Sequence, residues 1–72
     1  MTNTFLLERY IEKSGYKRSY IAAKIGRSPY ALAQKINNES EFKASEIETL
    51  CNLLGIDTND RMDIFFAKKV DL

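Results

Sequence analysis

The chain has 72 residues, eleven Lys or Arg against ten Asp or Glu, and a net charge of +1. That length limits it to one domain, 1–72, whose folded state buries only about 60% of the unfolded surface, so a dimer contact or a partner can add to a marginal core. With no His and a single Cys51, an internal disulfide and the usual His/Cys metal sites are excluded and no cofactor is expected; no apolar run reaches signal or membrane-spanning length, which points to the cytoplasm, or a host cell's cytoplasm, and to no membrane partner.

Met1 to Ser14 predicts a first helix, with Leu7, Tyr10, Ile11 and Ser14 at i, i+3, i+4 and i+7 and Gly15 as its stop. Lys17 to Ile25 predicts a second, placing Ile21, Ala22 and Ile25 on one face. Lys17 is a poor N-cap, and Ser14 or Ser19 is the better candidate. Gly26 suits the sharp turn that follows. Ser28 can cap the next helix and Pro29 fits its first position, so the third helix runs from Pro29 to about Asn37. Leu32 and Ile36 stand four apart on its inner face, and Asn37 and Asn38 end it, because Asn enters the left-handed region more easily than most residues. Residues 18–36 thus have the build of a helix-turn-helix.

Glu39 to Ala44 predicts a loop, with Phe42 as a buried plug. Ser45-Glu46-Ile47-Glu48 fits a capping box, and Ile47, Leu50, Cys51 and Leu54 give the fourth helix its stripe before Gly55. A fifth helix, Asp60 to about Lys68, carries Met62, Phe65 and Phe66 as its apolar face with Ile64 to one side. Lys68 and Lys69 suit its C-terminal end, and Val70 to Leu72 are expected to fray. The fold class is all-α.

Charge is unevenly distributed. Lys13 to Asn38 holds six bases (Lys13, Lys17, Arg18, Lys24, Arg27, Lys35) and no acid, whereas residues 39–72 hold eight acids and four bases. A cationic stretch of this kind can displace counterions from a duplex. Gln34 offers the paired donor and acceptor that read adenine in the major groove, or is simply a solvated helix residue. Tyr30 and Ala31 can touch a thymine methyl or a phosphate, with Tyr30 alternatively part of the core. Arg18 and Arg27 suit phosphate or guanine, though an exposed Arg often serves solubility alone. Lys17, Lys24 and Lys35 are generic cations. No nucleophile–base pair and no Gly-rich phosphate loop is present, Cys51 lies on an apolar stripe, and no enzyme is expected.

Ile21-Ala22, Ile25-Gly26, Ser28 and Leu32, in that order and followed by Asn37-Asn38, resemble the Cro/CI-type (Xre-like) helix-turn-helix family. The stretches SEFKASEIETLCNLLGI and DRMDIFFAKKV look especially like small Cro-like regulators from temperate phages of Gram-positive hosts. The resemblance implies a compact five-helix, lambda-repressor-like DNA-binding domain. It also implies that Arg18 meets the DNA backbone or a neighbouring base, that Ser28, Pro29, Tyr30, Ala31 and Gln34 face the groove, and that Lys35, Asn37 and Asn38 hold phosphate. Three departures stand out. Many members have Gln at the place of Arg18, an apolar residue at the place of Arg27, and Ile or Val at the place of Lys35.

Three functions compete on this basis. One is sequence-specific binding of double-stranded operator DNA at a lysis/lysogeny switch, as a possible homodimer on half-sites about 34–36 Å apart. Another is an antirepressor that binds the cognate phage repressor, with the acidic Glu39–Asp63 stretch facing the repressor's DNA-reading surface and Phe65 and Phe66 packing against it. A third is the antitoxin of a toxin–antitoxin pair, which only the neighbouring gene would decide.

Overall fold

Local signals set where the helices begin. The Asn3 side chain accepts the Leu6 N–H at 3.1 Å, Ser28 Oγ accepts the Ala31 N–H at 3.1 Å, and Asp57 Oδ1 accepts the Asp60 N–H at 2.8 Å. Each satisfies one of the donors that a helix start leaves unpaired. In the computed structural model, which describes residues 1–67, they open α1 (Thr4–Ser14), α3 (Pro29–Ile36) and α5 (Thr58–Phe65). The other two helices are α2 (Arg18–Lys24) and α4 (Ala44–Leu54), and the described residues contain no strand. None of these helices is long and apolar enough to cross a membrane. The residues expected to close the fifth helix and to fray, Lys68 to Leu72, lie outside the described residues.

α2 starts without a side-chain cap. Lys17 has no acceptor to offer, Ser19 lies inside the helix, and Ser14 Oγ accepts the Tyr16 N–H at 3.1 Å in the preceding loop. α4 begins two residues earlier than the Ser45 box predicts. Glu46, not Glu48, stands at the third helical position, where its Oε1 accepts the Lys43 N–H at 2.8 Å. Lys43 cannot reciprocate, so only half of a capping box forms. The reason for the shift is that Glu46 faces inward and serves several donors at once, described below.

One apolar cluster draws on all five helices: Leu7 and Ile11, Ile21 and Ala22, Leu32 and Ile36, Leu50, Cys51 and Leu54, Ile64 and Phe65, with Ile56 from the α4–α5 link. The expected face of α5 is corrected. Ile64 and Phe65 are buried, while Met62 and Phe66 are exposed. The inward stripe is Asp60, Arg61, Ile64 and Phe65, and its polar members are absorbed by α1 and α4. Tyr10 Oη–H donates to Asp60 Oδ2, and Arg61 Nε–H donates to Cys51 Sγ at 3.3 Å. The hydrogen bond to Asp60, followed by burial and nearby negative charge, pushes the Tyr10 phenol up to about 12, so it stays a donor at neutral pH. Phe42 is half-buried, edge-to-face on Phe65 at 5.4 Å.

The chain start is tied across the bundle. The Asn3 N–H donates to the Ile64 carbonyl at 2.6 Å and Thr4 Oγ1–H to the Ile36 carbonyl at 2.6 Å. Asn38, at φ 64°, accepts the Thr2 N–H at 2.7 Å and donates to the Thr2 carbonyl at 2.9 Å. Asn38→Ala removes both bonds and puts in the left-handed region a residue that lacks the short polar side chain by which Asn tolerates it. It is expected to lower the unfolding free energy by about 2 kcal/mol, measured by urea denaturation.

Candidate nucleic-acid interface

α2 and α3 pack closely, with Ala22 fully buried. The residues between them form a double-bonded helix end. The Gly26 N–H donates to the Ala23 carbonyl at 3.1 Å and the Arg27 N–H to the Ala22 carbonyl at 2.9 Å. This pair of bonds needs a left-handed residue between the helices, and Gly26 supplies it at φ 74°. Ser28 and Pro29 then start α3 at once, which leaves only residues 25–28 to turn the chain.

The start of α3 faces solvent. Ser28, Pro29 and Tyr30 are exposed, Tyr30 at 74%, and Ala31 is half-buried. Gln34, one turn on, is half-buried and its Nε2 lies 3.4 Å from Tyr30 Oη. Tyr30 and Gln34 are therefore neighbours at i and i+4 on the outer face, while Leu32 and Ile36 fill the core. Asn37 is exposed beyond them.

The cations do not form one free patch. Lys17 is exposed and makes no ion pair among the described residues. Lys24 lies over the Tyr20 ring at 5.3 Å, and Tyr20 packs against Tyr16 at 5.0 Å. Arg18 is exposed at the start of α2, but both its terminal nitrogens bind Glu8 of α1, Nη1 to Oε1 at 2.9 Å and Nη2 to Oε2. Two expected phosphate ligands are engaged within the fold. Lys35 is buried, with Nζ 3.2 Å from Glu46 Oε1 and 2.8 Å from the Glu41 carbonyl. Asn38 has both ends of its amide on Thr2.

Arg27 and Lys35 converge on one carboxylate. Arg27 Nε lies 2.6 Å from Glu46 Oε2, and Glu46 is only 4% exposed. Burial alone would raise its pKa. The Lys43 N–H, the Arg27 guanidinium and the Lys35 ammonium together outweigh that, and hold the carboxyl below its ordinary 4.5. Two cations are thus matched by one buried acid. Glu8 and Glu46 are the residues that sequence reasoning missed. The signal for Glu46 was available: basic residues at two inward-facing positions demand an inward-facing acid. Glu8 had none, since its place opposite Arg18 depends on how α1 docks.

A second surface lies at the other end of α3. Met1, Thr2, Asn38, Glu41, Phe42, Ile47, Phe65 and Phe66 line a hollow of about 210 Å³. Met1 and Phe66 are 63% and 56% exposed on its rim. No protein-family model matches the chain, and comparison with curated proteins and with solved structures finds no match.

Proposed function

We propose that this protein is a small Cro-like regulator of a phage-type lysis/lysogeny switch, which reads operator DNA with the start of α3. The observation that carries the reading is the exposed N-terminal face of α3. There Tyr30 and Gln34 stand side by side above the Ser28-Pro29 helix start. A short helix presented in this way fits the major groove, and an amide at that place can read an adenine edge. Because Lys35 and Arg27 are engaged with Glu46, the electrostatic contribution is small.

The test is fluorescence anisotropy with duplexes from the DNA flanking its own gene. Sequence-specific binding is expected, with a shallow salt dependence corresponding to about two or three neutralised phosphates per subunit. Binding that is equally tight on random DNA, or no binding at low salt, overturns the reading.

A second reading is favoured by the hollow at the far end of α3: the protein is an antirepressor that binds the cognate repressor. Exposed Met1 and Phe66, with Phe42 and Ile47 below them and Glu41 at the edge, combine an aromatic anchor with an acid suited to a basic partner surface. Here the expected result is release of repressor from its operator on adding this protein. Repressor that stays bound at saturating amounts excludes it.

A further inference from the structure

We infer that Glu8 occupies an anion seat on Arg18 whose proper ligand is a phosphodiester oxygen of the DNA backbone, so that Glu8 sets the protein's affinity for DNA. The inference rests on the DNA-binding reading above. Arg18 presents its two terminal nitrogens side by side to the two oxygens of Glu8. This is the fork by which Arg grips a phosphate, and one fork cannot hold two bidentate anions. Both side chains lie at the surface, Arg18 at 52% and Glu8 at 36% exposure, so one anion can replace the other without opening the core.

The contrast with Glu46 sharpens the assignment. Glu46 is buried, and its three partners join α4 to the turn between α2 and α3, the end of α3 and the loop before α4. No ligand can displace it from the surface. Glu8 belongs to α1 and projects an acid into a neighbourhood that the sequence from Lys13 to Asn38 keeps free of acids. It therefore stands where a phosphate would stand, and with the same charge. The Arg18 hydrogen bond holds its carboxyl below the ordinary 4.5, so it is ionised wherever DNA binding would be measured. Binding DNA through Arg18 then requires Glu8 to leave, and the expelled carboxylate remains close to the incoming backbone.

The test compares wild type, Glu8→Gln, Arg18→Ala and the double variant on one fluorescent duplex from the protein's own promoter region, between about 50 and 200 mM salt. Glu8→Gln is expected to bind about tenfold more tightly, with a salt slope steeper by about one. Arg18→Ala is expected to bind more weakly than wild type, and Glu8→Gln on the Arg18→Ala background to regain less than twofold. Circular dichroism checks that all four are equally helical. If wild type binds specifically and Glu8→Gln is no tighter, the seat is wrong while the DNA-binding reading stands. If neither wild type nor Glu8→Gln binds any duplex, both fall together.

Discussion

Replacing Glu46 with alanine is expected to lower the unfolding free energy by about 3–5 kcal/mol, because it leaves Lys35 buried without its counter-charge. A chain of this length has a total stability of roughly 4–11 kcal/mol. Glu46→Ala is therefore expected to lose most of its helical circular dichroism at 37 °C. The triple replacement Arg27→Leu, Lys35→Ile and Glu46→Leu removes all three charges together, and should be neutral or stabilising by about 1–4 kcal/mol, since apolar packing often outdoes a buried ion pair such as Lys35–Glu46. Urea denaturation separates the two cases. A triple variant as damaged as Glu46→Ala would mean that the charges specify the position of α3 and are not merely tolerated.

The same carboxylate gives an acid signature. Its folded pKa is depressed below the ordinary 4.5. The stability it contributes is thus fully present above the unfolded value and is lost as pH falls through the folded one. Glu8, also depressed by its Arg18 partner, adds to the same loss. Melting temperature should be flat near neutrality and fall below about pH 4.5. Glu46→Gln should flatten that fall without abolishing it, leaving the Glu8 share. If the fall is unchanged in Glu46→Gln, Glu46 is not the group that acid discharges.

Where a single residue type dictates a local conformation, the sequence was readable. Gly26 and Asn38 sit at positive φ as their types suggest, and Ser28-Pro29 opens α3 where the cap and the ring require it. The apolar stripes of α1 and α4 were likewise visible as periodicity. The face of α5 was not, because its inward stripe contains Asp60 and Arg61. Hydropathy alone prefers Met62 and Phe66, and only the docking of Tyr10 and Cys51 selects the other side. The pairing of the cations was hidden for a related reason. Counting charges along the chain finds cations with no acid nearby in sequence, but Glu8 and Glu46 reach Arg18, Arg27 and Lys35 from other helices. A basic segment is not a basic surface until its tertiary partners are known. Tyr30 and Gln34 escaped this error because helical phase alone puts them opposite Leu32 and Ile36, and Ser28 is exposed as the N-cap before the first turn.

Phe66→Asp and Gln34→Ala are expected to separate the two proposed readings, because they act at opposite ends of α3. Phe66 is exposed on the rim of the hollow, so a charge there should leave stability within about 0.5 kcal/mol of wild type. If the hollow receives an apolar anchor of a repressor, Phe66→Asp should weaken that complex by about 2–4 kcal/mol, roughly 30- to 1,000-fold, while operator binding by this protein is unchanged. Gln34→Ala removes the paired donor and acceptor beside Tyr30. It should cost about 1–3 kcal/mol of discrimination between operator and scrambled DNA and leave repressor binding intact. Calorimetry with purified repressor and anisotropy with duplex DNA read the two effects independently. Loss of both activities in either variant would mean that one surface serves both partners. The acidic rim would then compete with DNA for the same repressor face while the start of α3 had no ligand of its own. Loss of neither would remove both ends of α3 from consideration and turn attention to the exposed aromatics elsewhere, the Tyr16–Tyr20 pair at the start of α2 and Phe5 of α1.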